Sequence, residues 1–446
     1  MKDKEDKPQK QNLRWFQYKS PSTSTDLSED AIVTFGARAA GADLPGEQVR
    51  GLYGNVCRKV TAGTGRSFLW RAGDFRADDA PVEPVVTAWT ESAPPLYCAV
   101  DLAAGTNTTS YPFQYYPSAA AIPGGVGNLA WKTQWLLMRR IDPTGPEGFT
   151  MGTPDGEALA GRNETPHTVI LTQAYYMAIY ETTQEQWVRV CQTWTTDKRN
   201  NNDKGTPMAY GGGTPFVYRS RPADSMTQIE AAAFAADLAA RTGRAFRLPT
   251  EAQWEWACQA GAGDTVANYD WVVHWDVTGM LQFTGNHHVH PQYDLDEPGP
   301  REVGSFPPNA FGLYDMEGNA WELARDHYVE DRRTLANQID PEGPSSTSEA
   351  KVVIRGGSYY QDFNGFNAMT GKGRESVTPA SRYPYGVTQG DRSVSVRFSI
   401  DVDGSPASTS AESAPCAVDA RVKTVALSEG LKIDTLHAMG SLFILR

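Results

Sequence analysis

The sequence predicts an α+β protein in which a small β-rich domain precedes a domain with two helices and much ordered loop. The chain has 446 residues, more than one hydrophobic core usually organises, so several domains are expected. Its 41 Gly and 29 Pro interrupt helices, and its aromatic content of 11% supplies side chains that fill a core between loops. Helical spacing of apolar residues is clear in only two places.

Changes in composition divide the chain into five parts. Residues 1–25 are charged and rich in Ser, Thr and Pro, which indicates a disordered lead-in. We expect a β-rich N-terminal domain at 26–138 and the main domain at 139–400. Residues 401–416 have the composition of a flexible linker, and 417–446 are expected to form a C-terminal tail or added strands.

The β-rich prediction for the N-terminal domain depends on short apolar runs separated by Gly, Pro and Asp. These runs lie at 31–35, 67–71, 84–89 and 96–100, and they are rich in β-branched and aromatic residues. The region has no obvious catalytic cluster, so we interpret it as a spacer or sandwich-like module.

The first helix is predicted at 226–242. Asp224 and Ser225 offer N-cap oxygens, and Gly243 offers a C-cap. Four apolar residues are expected along one side of it: Ile229, Ala233, Phe234 and Leu238.

The second helix is predicted to begin at Thr250. Its hydroxyl can cap the helix while Gln253 reaches back, which is a capping-box arrangement. Trp254, Ala257 and Cys258 then fall on one face.

Charge and hydropathy exclude some partners. The formal net charge is -12 and no basic stripe occurs, so we expect no nucleic-acid partner. No apolar run approaches the length of a transmembrane segment, and no secretion signal follows the polar start. The compartment stays open: extracellular or cell-surface if a signal has been removed, otherwise cytoplasmic. Five scattered cysteines do not decide it, and the oligomeric state is equally open.

Four sequence blocks occur in a fixed order in the main domain. They are GFTMG at 148–152 with YYMAIYETTQ at 175–184, RLPTEAQWEWA at 247–257, GSFPPNAFGLYDMEGNAWE at 304–322, and VIRGGSY at 353–359. Together they resemble the sulfatase-modifying-factor family, whose namesake is the formylglycine-generating enzyme, over about residues 140–400. The resemblance implies a variant of the C-type-lectin fold, with a small mixed sheet, two helices and much ordered loop.

The resemblance also implies a calcium site in the third block. Its ligands would be an oxygen of Asp315, the main-chain carbonyls of Gly318 and Ala320, and the carboxylate of Glu322. Calcium prefers several hard oxygen ligands, and a tight loop can aim carbonyls and carboxylates at one point. The alternative is that the two acids only cap the turn.

A second family calcium site would involve Asn286 and an acidic residue downstream, for which Asp294 and Asp296 are the candidates. The neighbouring histidines at 287, 288 and 290 offer imidazoles that suit transition metals. Histidines in loops are more often exposed polar residues without a metal. A metal site and an exposed polar loop therefore both remain possible interpretations.

The copper chemistry of the family requires two active-site cysteines after the Gly-Gly-Ser-aromatic block. Carried onto this chain, those positions hold Gln361 and Phe366, and no cysteine lies between Cys258 and Cys416. Because soft thiolates hold Cu(I), we do not expect copper. The histidine-rich iron spacing of ergothioneine-pathway relatives is also missing.

The segment 359–395, which we call the display segment, has the composition of a recognition surface. It combines rigid aromatics with adaptable amides. The candidate ligand-binding residues are Tyr359, Tyr360, Gln361, Asp362, Phe363, Asn364, Phe366, Asn367, Tyr383 and Tyr385. Retroelement-diversified variable proteins of this fold place variable residues here, but end in Gly-Phe-Arg, whereas this chain has Ser-Val-Arg-Phe at 395–398. The alternative is that the aromatics pack a core.

These observations predict a non-catalytic protein that binds a protein or glycan ligand, with calcium as its cofactor. One alternative is a metal-dependent oxidase of the same family that uses a non-standard site, such as the histidines at 287–290. Another is a structural envelope protein in which the domain is a spacer.

Overall fold

The computed structural model describes most of the chain and divides it into two compact units. The described residues are 14–17, 30–50, 52–62, 67–70, 83–153, 164–191, 219–261, 274–275, 281–282, 300–335, 338–344, 350–358, 379–390, 393–402 and 423–426. Unit 1 comprises residues 1–98, 113–128 and 412–446, and unit 2 comprises 99–112 and 129–411. The predicted lead-in and linker lie almost wholly outside the described residues.

Unit 1 is built from short antiparallel strands. They are β1 (Arg14–Gln17), β2 (Ala31–Ala39), β3 (Ala42–Asp43), β4 (Leu52–Gly54), β5 (Arg58–Val60), β6 (Ser67–Trp70), β7 (Glu83–Trp89), β9 (Phe113–Tyr116) and β22 (Lys423–Ala426). One sheet has the order β1-β6-β4 and another the order β22-β7-β2-β3, with β5 beside β2. Phe35 packs between Phe68 and Trp70, each at 5.1 Å between ring centroids. The β-rich prediction is confirmed.

Unit 2 contains the remaining strands and all three described helices. The strands are β8 (Tyr97–Asp101, which begins in unit 1), β10 (Trp135–Ile141), β11 (Phe149–Met151), β12 (His167–Val169), β13 (Tyr175–Ala178), β14 (Phe246–Arg247), β15 (His274–Trp275), β16 (Leu281–Gln282), β17 (Trp321–His327), β18 (Lys351–Arg355), β19 (Arg382–Gly386), β20 (Val394–Ser395) and β21 (Ser399–Asp401). The helices are α1 (Gln184–Val190), α2 (Gln228–Thr242) and α3 (Glu251–Gln259).

Two sheets organise unit 2. Five strands follow the order β14-β21-β13-β10-β8, and four follow the order β19-β18-β17-β20, in which β17 and β20 are parallel. Because β8 belongs with β10, residues 99–112 and 129–138 lie in unit 2. This differs from the predicted boundary at residue 138, since sheet pairing brings together strands that are separated along the chain.

The helix caps show why these segments are helical. Thr250 accepts a hydrogen bond from the backbone N–H of Gln253, whose side chain returns to the N–H of Thr250, so the predicted capping box of α3 is confirmed. The N-cap of α2 is Thr227 with Glu230, and the predicted caps Asp224 and Ser225 are wrong.

The face of α2 also differs in part from the prediction. Its C-cap, Gly243, adopts a φ of +69° as expected of a left-handed cap. The buried residues are Ala231, Phe234, Ala235 and Leu238, whereas Ile229 is 56% exposed and Ala233 is exposed. The buried residues follow the i, i+3, i+4, i+7 spacing from Ala231, and Ile229 and Ala233 lie outside that stripe. A third helix, α1, has its own capping box and was not predicted.

None of the helices in the described part of the chain combines the length and the apolar character needed to cross a membrane.

Candidate ligand-binding site

The display segment is only partly a connection between strands. Its candidate residues from Tyr359 to Asn367 lie outside the described residues. The residues 382–386 form β19 and 394–395 form β20, so both stretches belong to the sheet. The connection between β18 and β19, residues 356–381, is the part of the display segment that precedes these strands, and its residues 359–378 lie outside the described residues.

Tyr383 and Tyr385 have different environments. Tyr383 is half-buried and meets Trp321 edge to face, with 5.0 Å between ring centroids. Tyr385 is 2% exposed. Its prediction as a surface contact is therefore wrong, because its side chain points to the buried face of the pleated strand.

The two ends of the connection are adjacent in space. β18 and β19 are antiparallel, and Arg355 lies directly opposite Arg382. The chain leaves β18 through Gly356, whose φ is +89°. A Cβ atom there would approach the carbonyl oxygen of Met316 to 2.8 Å, so only glycine fits this exit.

A buried group of charged residues lies beneath these two ends, and we call it the stem network. It consists of Glu251 and Glu255 of α3, Arg355 of β18, Arg382 of β19, and Arg332. Every member is at most 4% exposed. Although burial alone would raise the pKa of Glu251, the arginines at 382, 332 and 355 hold it well below its usual value.

The contacts of the stem network are charge-assisted hydrogen bonds. Arg355 donates to Glu251 at 2.9 Å and to Glu255 at 2.5 Å. Arg382 donates to Glu251 at 2.7 and 3.1 Å, and Arg332 donates to Glu251 at 3.3 Å and to Glu255 at 3.1 Å. Since Glu251 and Glu255 are one turn apart in α3, the network attaches both strands to one helix face.

Arg355 also holds the returning chain. Its guanidinium donates to the carbonyl oxygen of Ala380 at 3.2 Å and to that of Pro379. Both contacts are to the backbone, so they do not depend on which side chains precede β19.

The predicted calcium block is buried and strongly acidic. Asp315, Glu322 and Glu181 lie close together with Arg397, and we call these four residues the acidic cluster. Glu322 receives two N–H groups of Arg397, at 2.7 and 3.0 Å. Glu181 accepts from the backbone N–H of Ala320 at 2.9 Å.

Burial raises the pKa of Glu181 well above its usual value, and the charges of Asp315 and Glu322 raise it further. Burial likewise raises the pKa of Asp315 to about 6, with Glu322 also raising it, although the N–H of Gly304 and two cations oppose the shift. The cluster has more carboxylates than it can hold ionised without a proton or a cation.

The residues of this block differ in how well they fit a calcium site. Both oxygens of Glu322 are already filled by Arg397 and by the indole N–H of Trp254, at 2.7 Å, so Glu322 does not fit as a ligand. Asp315 lies in a left-handed turn with φ +56°, followed by Gly318 with φ +98°. The carboxylates of Asp315 and Glu181 are hard oxygen donors, the ligand type that calcium prefers, but with Glu322 they are not arranged as a three-carboxylate metal site.

The other metal predictions fall outside the described residues. Asn286, Asp294, Asp296 and the histidines at 287, 288 and 290 all lie there. Among the residues that are described, no group of three or more His, Cys, Asp or Glu side chains is arranged to hold a metal ion.

Gln361 and Phe366, which are predicted to stand at the positions of the family's copper ligands, also lie outside the described residues. The structure describes four cysteines, Cys57, Cys98, Cys191 and Cys258, and none of them is in a disulfide. Burial raises the pKa of the Cys57 thiol to about 11.

Sequence reasoning missed the stem network and Glu181. A signal was present, because arginines stand at the end of the apolar run at 351–355 and at 397, between apolar neighbours. Charged residues are almost never fully buried unless they are paired. Which carboxylate pairs with which arginine depends on the fold.

Together these features define a loop-rich α+β domain in which the stem network lies beneath the two ends of the connection between β18 and β19. Residues 143–386 match the family model of the sulfatase-modifying factor enzyme 1-like domain. The chain belongs to this family, which confirms the predicted C-type-lectin-like fold.

Known relatives include enzymes and a protein named as inactive. The chain is 25% identical over 305 residues to the formylglycine-generating enzyme of Mus musculus, covering 59% of this chain and 76% of that enzyme. It is 34% identical over 143 residues to the inactive C-alpha-formylglycine-generating enzyme 2 of Bos taurus, covering 29% of this chain and 46% of that protein.

The chain is also similar to solved structures. One is PvdO from Pseudomonas aeruginosa, at 23% identity and a TM-score of 0.48, covering 59% of this chain and 94% of that one. The Treponema denticola variable protein 1 has 21% identity and a TM-score of 0.43, covering 60% of this chain and 95% of that one.

Proposed function

We propose that this protein is a non-catalytic ligand-binding protein whose connection between β18 and β19 contacts a protein or glycan ligand. The observation that carries the proposal is the stem network. Among the described residues, it joins the two ends of the connection through side chains of α3, β18, β19 and Arg332.

A stem of this kind separates stability from recognition. The contacts that position the connection come from α3, β18, β19 and Arg332, and the contacts to the returning chain are to backbone carbonyls. Substitutions in 359–378 can then change the ligand without removing these contacts. Such tolerance is what a diversified binding surface requires.

The composition of the connection supports recognition. Tyr359, Tyr360, Phe363 and Phe366 are aromatic anchors, and amides stand between them. Anchors of this type dominate binding energy at interfaces, at about 2 kcal/mol each.

The non-catalytic part of the proposal depends on the missing cysteines. Gln361 and Phe366 stand where the family's copper-binding thiolates are expected, and neither side chain can replace a soft sulfur ligand. The bovine relative is named as inactive, which supports the idea that some members of the family lack the enzyme activity.

The first test is sequencing of this gene across many sister cells, at codons 355–398. We expect substitutions to concentrate in 359–378, with Arg355 and Arg382 unchanged, if the surface is diversified. A uniform segment would remove the diversified version and leave a binder of fixed specificity. Substitutions spread evenly over stem and connection would contradict the stem argument.

The second test uses the double variant Phe363→Ala, Phe366→Ala on an array of defined glycans and on candidate protein partners. Binding should weaken by about 30-fold or more per phenylalanine, with unchanged thermal unfolding. The matched control is Leu129→Ala, an exposed apolar residue outside the connection (59% exposed). Equal binding by all variants would refute the proposed surface, and stoichiometric copper or iron in protein purified without added metal would favour the oxidase.

The proposal includes calcium at Asp315 with the carbonyls of Gly318 and Ala320. Calcium would neutralise part of the acidic cluster and stiffen the turn. We expect calcium to raise the melting temperature over that in chelator, and Asp315→Asn to abolish most of the rise. No calcium-dependent shift in the wild type would remove calcium from the proposal.

A further inference from the structure

The stem network has an uneven charge. It brings three guanidinium groups, from Arg332, Arg355 and Arg382, onto the two carboxylates of Glu251 and Glu255. Arginine stays protonated in proteins, so the excess positive charge cannot be removed by loss of a proton. A buried charge without a partner is strongly unfavourable, so the network should attract one negative charge.

Two N–H groups of the network have no acceptor among the described residues. The Nη2 atom of Arg332 and the Nε atom of Arg355 are buried and make no hydrogen bond. The other terminal nitrogen of Arg332, Nη1, donates to both glutamates. In contrast, Arg382 uses all three of its nitrogens on Glu251 and on the Val329 carbonyl oxygen. A buried donor left without an acceptor costs about 1–3 kcal/mol.

The neighbouring titratable groups do not balance the excess at mildly acidic pH. Asp326 accepts from the backbone N–H of Glu251 at 2.6 Å, and burial, with repulsion from Glu251, raises its pKa to about 7. His167 lies near Arg332 and the two glutamates, and burial lowers its pKa, which favours its neutral form. His167 is half-buried, so this neighbour of Arg332 lies at the edge of the buried region.

We propose that the stem network binds one small carboxylate ion, held by the Nη2 group of Arg332. A single carboxylate carries the one negative charge that balances three guanidiniums against two glutamates. A phosphate dianion would reverse the imbalance in a buried place, so it should bind less well. This site is separate from the proposed ligand surface and does not depend on it.

The test compares wild type with Arg332→Gln and with Arg333→Gln, its exposed neighbour, which pairs with Asp331. Sodium acetate replaces sodium chloride at constant ionic strength and about pH 6, where Asp326 is mostly protonated. Thermal unfolding and titration calorimetry are measured. We expect saturable stabilisation by acetate in wild type and Arg333→Gln, and a dissociation constant at least about tenfold larger in Arg332→Gln.

Two outcomes would overturn the proposal. One is a linear rise in melting temperature that is equal in all three proteins, which indicates a general salt effect. The other is saturable binding that Arg332→Gln leaves unchanged. If Arg332→Gln does not fold, calorimetry on the wild type alone decides, because no saturable acetate heat contradicts the site. Phosphate that binds more tightly than acetate would contradict the carboxylate assignment.

Discussion

The stem network and the acidic cluster are both buried ionic groups of unit 2, but their charge imbalances are opposite. The stem network has three arginines for two glutamates. The acidic cluster has three carboxylates for Arg397, with the half-buried Lys132 nearby. The residues of both groups are almost completely buried. The two groups therefore differ in how each can lose its excess charge.

A carboxylate can be neutralised by a proton, whereas a guanidinium cannot. The raised pKa values of Glu181 and Asp315 indicate that the acidic cluster takes up protons. The stem network cannot lose its excess charge as a proton, so it needs a negative charge, either a bound anion or, above about pH 7, the carboxylate of Asp326. The same fold therefore contains one group that responds to pH or cations and another that responds to anions.

The largest expected effect is that of Glu251→Gln. The substitution removes the acceptor shared by Arg332, Arg355 and Arg382, and it leaves buried guanidiniums that cannot discharge. We expect a loss of about 3–5 kcal/mol in the free energy of unfolding at about pH 5, with no decrease in this loss from about pH 8 to about pH 5. Urea unfolding measures it. The control is Glu342→Gln, which breaks an exposed pair with Arg325 and should cost at most about 1 kcal/mol.

A smaller effect is expected for Arg397→Gln. Glu322 loses its charge partner, but the cluster can compensate by binding protons. We expect a loss of about 2–3 kcal/mol at about pH 8 that becomes smaller at about pH 5. The same unfolding series measures it. A defect that, like that of Glu251→Gln, does not decrease toward pH 5 would refute the contrast between the two groups.

The smallest effect is expected for Asp326→Asn. The folded-state pKa of Asp326, about 7, lies above its unfolded value of about 4, so the folded protein binds the extra proton. Stability from this group is therefore lost as pH rises through that window. Asparagine can still accept from Glu251 N–H but does not titrate, so the variant's melting temperature should fall less between about pH 5 and pH 8. An unchanged pH profile would show that Asp326 does not titrate there.

Local sequence predicted the elements whose signals are short-range. The capping box of Thr250 and Gln253 places the start of α3, because cap and partner are three residues apart. The start of α2 was less well predicted, since Asp224 and Ser225 are equally good cap residues. In the structure Thr227 is the N-cap, and the buried stripe begins at Ala231.

Only those parts of the candidate site that lie within a recognisable sequence motif could be predicted from the sequence. The blocks around 304–322 and 353–359 identified the acidic turn and the start of the connection. Tyr385 was misplaced because an aromatic in a mixed segment has no signal that distinguishes core from surface, and strand alternation decided its burial.

The sequence by itself determined the family, the β-rich start, the helix α3 and the loss of the copper-binding cysteines, because these depend on residue identity and local spacing. Only the tertiary structure decided which charges meet. Glu251 and Arg382 are separated by 131 positions, and Glu181 and Ala320 by 139. Their pairing follows from the sheet register and from the packing of α3, which no local pattern specifies.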